Sequence, residues 1–327
     1  MLVVGSDDGA YLVSGVYDDG ETAVEQVLES GTVMRVRTFD GIDGVFAAAT
    51  DGLYHSPDGE DWTTLDVPEE AVYSVGASPV GDRVYAGTRP ARLYVTRTDA
   101  DGWFAAKPEW RELTAFGTLA AHDDWGIERH DGVAQVRDVV VPADAPDRIV
   151  AGVEVGGVYV SDDGGDTWTD RAIEGFDAPH TDDVHHVLLR NKNSFVAATG
   201  SGLYRTTDAG RTWERLDDGR RQWYFRESFE HDGVVVAGGS PTPPNGWTDD
   251  RDHALFEYRD GESLAAVSSP TPDEVAVGWC ASDEGALAAT NRGTLLHREG
   301  DGWRRVGTVP VAESIHGRCI PLAWHRP

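Results

Sequence analysis

Ser161-Asp162-Asp163-Gly164-Gly165-Asp166-Thr167-Trp168 closes an apolar run, RIVAGVEVGGVYVS from Arg148. Thr206-Thr207-Asp208-Ala209-Gly210-Arg211-Thr212-Trp213 does the same after FVAATGSGLYRT from Phe195. Both fit S/T-x-D-x-G-x-T-W, and Ser56-Pro57-Asp58-Gly59-Glu60-Asp61-Trp62 is a copy one residue shorter. An Asp placed here can accept backbone N–H groups within its own turn, and Gly supplies the positive φ that the turn needs. The Trp carries a ring large enough to fill the gap between neighbouring sheets. The reading is structural: Asp58, Asp163 and Asp208 staple turns, and Trp62, Trp168 and Trp213 are wedges. Trp103 and Trp303 mark two eroded copies.

Working outward, the run before each box recurs. Apolar strand, small residue, Gly-containing turn and second strand are found at Met1, Val45, Arg83, Arg148, Phe195, Val234 and Ala286, seven times in all. The spacing of about forty residues is that of propeller blades. A further strand precedes each repeat: Val33 (VMRVRTF), Ala71 (AVYSVGA), Val133 (VAQVRDVVV), Asp183 (DVHHVLL), Gln222 (QWYFRESF), Glu274 (EVAVGWCA) and Ser314 (SIHGRCIPL). Each reads as the inner strand A of a four-stranded blade, followed by B, C and D. The chain opens on a B strand and its last inner strand has no B strand after it. The expected fold is therefore all-β: a single domain over 1–327, a seven-bladed propeller of antiparallel blades. Strands B–C–D within 1–30 are completed by an A strand at 314–322, which leaves no sheet edge open.

The boxes, in phase with the strand repeat, resemble the Asp-box (BNR) repeat propellers over nearly the whole chain. That superfamily includes sialidases and other glycoside hydrolases, lectin-like and sorting-receptor domains, and photosystem II assembly factors. Fold does not choose among these. Sialidases are six-bladed and carry F/Y-R-I-P near the start. Here the nearest string, Gly317-Arg318-Cys319-Ile320-Pro321, lies at the other end and holds an extra residue.

Charge bounds the function classes. Asp and Glu number 57 against 28 Lys and Arg, a net −29, and Lys107 and Lys192 are the only lysines. Such a surface resembles that of salt-in halophiles, and of a haloarchaeal protein in particular, where salt screens carboxylate repulsion. A phosphate backbone needs basic patches, so nucleic acid is not an expected partner. MLVVGSDDGAYLV has no basic leader and no long apolar run, so neither a signal peptide nor a membrane span is read. Cys280 and Cys319 show no metal-finger spacing. The expectation is a cytoplasmic monomer with free thiols.

Long insertions fall on the face of the D–A and B–C connections: Thr114–Gly132, Ala172–Asp182 and Ser240–His253. Loops on a rigid scaffold are where binding usually resides, so this face and its channel mouth are the candidate site. The Pro-rich loop Pro241–Trp247 reads as solvated, with a lid or partner contact as the alternative. On the inner strands Arg37, Arg137, Arg226 and Arg318 fall in one column, with Arg35, Gln135, His186, Tyr224 and His316 two positions nearer the loops. Converging arginines suggest a site for carboxylate, phosphate or sulfate. The competing reading pairs each Arg with a channel carboxylate such as Asp138 or Glu227. His122, Asp123, Asp124, Trp125, Glu128, His130, His180, Asp182, Asp183, His185 and His186 hold imidazole and carboxylate enough for a metal, but without a tight motif. No metal and no cofactor are expected.

The leading functional reading is a non-enzymatic scaffold that binds a protein, a small anion or a glycan at the arginine-lined mouth. The alternative is a glycoside hydrolase, which needs two carboxyls at a set separation or a Tyr assisted by Glu. Glu227, Asp138, Glu128 and Tyr224 are then the candidates near the arginines.

Overall fold

The computed structural model describes residues 1–17, 22–98, 108–119, 125–126, 131–247, 252–311 and 320–326. Its strands form seven four-stranded antiparallel sheets arranged as the blades of a propeller. Numbered in chain order, the inner strands of blades 2 to 7 are Val33–Phe39, Val72–Ala77, Gln135–Val140, Val184–Asn191, Tyr224–His231 and Ala276–Ala281. Blade 1 takes its inner strand, Leu322–Trp324, from the carboxy-terminal segment, and Leu2–Ser6, Gly9–Ser14 and Ala23–Glu29 complete it. Leu2 pairs with Trp324 and Val4 with Leu322, while the Gly5 N–H donates to the Pro321 carbonyl at 2.9 Å. The strand expected at 314–322 thus begins at its last residue. Ile320 and Pro321 precede it outside regular strand, as Pro has no N–H for a ladder, and 312–319 lie outside the described residues.

The core is divided among the blade interfaces. Seven apolar clusters fill the seven gaps, such as Val150, Val160, Val187 and Tyr204 between blades 4 and 5. Strand B of each blade is buried and mostly apolar, with large side chains such as Phe46, Tyr85 and Phe195 followed by small ones, Ala47–Ala49 and Ala197–Ala198 among them, where the sheets leave little side-chain depth. Trp62, Trp168, Trp213 and Trp303 each pack against the cluster shared with the preceding blade. In blade 3 that place belongs to Trp110, whose indole N–H donates to the Leu65 carbonyl of blade 2 at 2.6 Å; Trp103 lies outside the described residues.

The turns show how the boxes close. Asp163 Oδ1 accepts the Thr167 N–H at 2.8 Å and Oδ2 the Thr167 hydroxyl at 2.6 Å, while Ser161 Oγ accepts the Gly165 N–H at 2.9 Å. Asp208 repeats this with Thr212, and Asp58 takes the N–H groups of Glu60 and Asp61. The hydrogen bonds from Thr167 and Ser161 hold the Asp163 carboxyl at about 2.

Two insertions are more ordered than loops. Thr114–Leu119 is helical, and its buried Phe116 meets Trp125, Tyr159 and Trp168 edge-on or tilted. The Pro-rich segment turns at Pro244–Gly246 and buries Trp247, whose indole donates to the Thr242 carbonyl at 2.9 Å. The expectation of a solvated Pro241–Trp247 loop fails at that residue: a buried indole anchors the segment on Tyr224.

Candidate functional site

The inner strands share a local irregularity that sets the site. Pairing with strand B slips by one residue at Met34, Tyr73, Arg137, His185 and Val277, and across Arg226–Glu227 in blade 6. A bulge sets two residues against one on the partner strand, so strict alternation is lost. The columns expected from alternation are therefore wrong. Arg137, His185 and Arg226 occupy one level, and Arg35, Asp138, His186 and Glu227 the next. Arg37 lies further toward the A–B hairpins and does not share a level with Arg137 or Arg226.

The second level is a band of charge across the channel. Arg35 is 2% exposed. Its Nη2 donates to the Arg137 carbonyl at 3.0 Å and the His185 carbonyl at 3.3 Å, and its Nη1 lies 3.4 Å from Glu227 Oε1. One guanidinium from blade 2 thus reaches blades 4, 5 and 6. Arg37 pairs with Asp138 at 2.9 Å, and Asp138 also accepts the N–H of Val187 at 3.0 Å. His186 Nε2 lies 3.4 Å from Asp138 and 3.6 Å from Glu227. Burial pushes the Asp138 carboxyl up, but Arg37, His186 and Arg35 outweigh it and hold it at about 2. Burial dominates at Glu227 and raises it despite Arg35 and Arg37. Burial likewise lowers His186 to about 3, so the ring is neutral at pH 7 and its Nε2–H faces the two carboxyls.

This band separates two chambers. The chamber on the loop face, about 350 Å³, is lined by Arg89, Arg137, Arg226, Glu154, Gln135 and Tyr73 among others. Arg137 lies 3.2 Å from Glu154, and Gln135 donates to the same carboxylate oxygen at 2.7 Å. Arg226 donates to the Tyr224 hydroxyl at 3.1 Å, and burial lifts that phenol to about 12. Glu154, Asp183 and His185 bring ligand-capable atoms within 4.8 Å of one another. The His185 Nδ1–H donates to the Phe225 carbonyl at 2.6 Å, which leaves Nε2 facing Asp183 at 3.5 Å. Arg137 already supplies positive charge to this group, which makes it an ion-pair cluster.

The chamber on the hairpin face is larger, about 470 Å³, and its walls are the ends of all seven inner strands. Of the remaining candidates, Glu128, His316, Arg318, His122, Asp123, Asp124 and His130 lie outside the described residues. His180 and Asp182 are exposed, and Trp125 serves the core by donating to the Tyr159 hydroxyl at 2.9 Å. Cys280 is a free, buried thiol pushed up by burial. Among the described residues, no helix is long and apolar enough to cross a membrane.

Two polar residues in succession on an apolar strand, as in Arg137-Asp138, His185-His186 and Arg226-Glu227, are the signal that could have revealed the bulges.

No family model matches the sequence, and no curated protein matches it. Solved structures share the fold. The chain is similar to a GH74 enzyme of Niastella koreensis, with TM-score 0.60 and 12% identity over 84% of this chain and 45% of that one. It is similar to YCF48 bound to a D1 peptide, with TM-score 0.55 and 15% identity over 84% and 81%. It is also similar to the WD40 propeller domain of Doa1, with TM-score 0.56 and 13% identity over 85% and 83%. The chain thus spans under half the length of the GH74 enzyme, and identities this low speak for the fold alone.

Proposed function

We propose that this propeller is a non-enzymatic binding module that takes an anionic group, on a small ligand or a protein partner, at the loop-face mouth. The observation that carries the reading is the charge of that chamber. Three guanidiniums, Arg89, Arg137 and Arg226, line it with the carboxylate of Glu154, behind which lies Asp183, in a chain whose net charge is −29. Arg137 and Arg226 are nearly buried, so an anion there is weakly screened. Arg89 sits at the rim, 30% exposed and 3.7 Å from Asp131. Arginine forks bind carboxylate, phosphate and sulfate in two-point fashion. YCF48 in complex with a D1 peptide is a propeller neighbour that binds a protein segment, which supports a partner-binding use of the fold.

The hydrolase alternative draws on the split between Asp138, held low, and Glu227, held high. Against it stands His186, whose Nε2 lies between the two carboxyls where a sugar would have to fit.

Titration calorimetry in concentrated KCl with phosphate, sulfate and malonate tests the proposal. Saturable binding that weakens about tenfold in Arg226→Gln is expected, the loss of one charge-assisted pair. Equal binding by the variant, or no binding of any anion, would overturn it, and glycan hydrolysis abolished by Glu227→Gln would favour the alternative.

A further inference from the structure

The outermost strand of each blade has a neighbour on one side only, so its other edge presents unpaired N–H and C=O groups. In blades 2 to 6 that edge is short: Thr63–Thr64, Arg111–Glu112, Thr169–Asp170, Glu214–Arg215 and Ala265–Val267 are strands of two or three residues. Blades 7 and 1, on either side of the closure, differ. Their outer strands, Gly302–Thr308 and Ala23–Glu29, are seven residues each, long enough to template a further strand. They also adjoin. The Thr22 hydroxyl, one residue before the second strand, donates at 3.4 Å to the carbonyl of Thr308, the last residue of the first. The rim thus carries two long edges end to start, one running into the next.

These edges differ in sign. Glu25 and Glu29 are exposed on one strand, Arg304 and Arg305 on the other. Pairing either strand with its own copy would set like charges against each other, which destabilises a sheet. The crossed pairing satisfies both. A two-fold axis through the Thr22–Thr308 contact turns the run antiparallel to itself, so that Gly302–Thr308 of one copy meets Ala23–Glu29 of the other, and the reverse. Arg305 precedes Thr308 by three positions and Glu25 follows Thr22 by three, so the axis brings arginine to glutamate. Isologous pairing of this kind closes at two copies. A net charge of −29 on each chain opposes it at low salt; a Debye length of about 3 Å at 1 M removes that long-range repulsion and leaves the contact pairs.

We propose that this rim is the interface of a two-fold dimer, in which the outer strands of blades 7 and 1 pair edge to edge with those of a second copy, in place of the monomer read from the sequence. The pairing is independent of the anion site, whose residues line the channel. Sedimentation equilibrium of the full chain in concentrated KCl tests it. Twice the chain mass at high concentration, falling on dilution, is expected. Glu25→Arg and Arg305→Glu, both at exposed positions, are each expected to weaken association at least about tenfold, because every reversal acts at two symmetric contacts. The double variant, which exchanges the signs, is expected to recover the wild-type association. The chain mass at every concentration, a mass that grows past two copies, indifference to both reversals, or a double variant no stronger than the singles would overturn the proposal.

Discussion

Arg35 is the residue on which the channel depends. Its guanidinium joins carbonyls of blades 4 and 5 to a carboxylate of blade 6. Arg35→Met would leave Glu227 buried without its cation, and breaking a buried pair typically costs about 3–5 kcal/mol. Denaturant unfolding at fixed salt is expected to show a loss of that order. Arg35→Lys is expected to recover little, because one ammonium cannot serve three acceptors set at a fork's spacing. His186 makes a second prediction. Its folded pKa is lowered to about 3 from 6.5, so below pH 6.5 the unfolded chain takes up a proton that the folded ring refuses. Stability from this residue is full above pH 6.5 and falls with acidification by up to about 1.4 kcal/mol per unit until about pH 3. Asp138, lowered to about 2 from 3.8, withdraws stability in the same direction over its own window. Glu227 is raised and works the other way, gaining stability as it is protonated. The wild-type slope between pH 7 and pH 5, less that of His186→Gln, isolates the imidazole; an unchanged slope would refute the assignment.

At the scale of the element, the boxed turns and the bulged strands behaved differently under sequence reading. The inner strand Val33–Phe39 was legible to the residue, since apolar runs bounded by turn residues are a strong signal. What its side chains face was not legible. One extra residue in a strand costs the sequence nothing visible, yet it moves Arg137 and Arg226 off the level of Arg37. Alternation is a rule about unbroken ladders, and six successive bulges cancel it. The turns allow a third prediction. Ser161 Oγ is buried, donates to Asp163 at 2.8 Å and accepts from Gly165 at 2.9 Å. Ser161→Ala is expected to cost about 1 kcal/mol, the worth of a typical net hydrogen bond. Amide exchange should accelerate locally, in blade 4. Uniform acceleration throughout the ring would count against a local staple.

For the whole molecule, the sevenfold count and the meeting of first and last strands were both readable, because each blade repeats the same apolar shape. The insertions were not: nothing in the composition of 241–247 announces that Trp247 is anchored inside, since a loop's polar majority hides its one buried residue. Closure gives a fourth prediction. A Cβ on Gly278 of blade 7 would come within 1.8 Å of the Ile320 carbonyl, beside the strand that completes blade 1. Gly278→Val is expected to lower Tm and to expose the amides of Leu2–Ser6 to exchange before those of blade 4; unaltered protection at the seam would refute it. The guanidinium bridge at mid-depth has one more implication. It divides the channel among the described residues, so that the two mouths open on separate chambers. The thermal upshift from an anion at the loop-face mouth should therefore follow a single saturation curve.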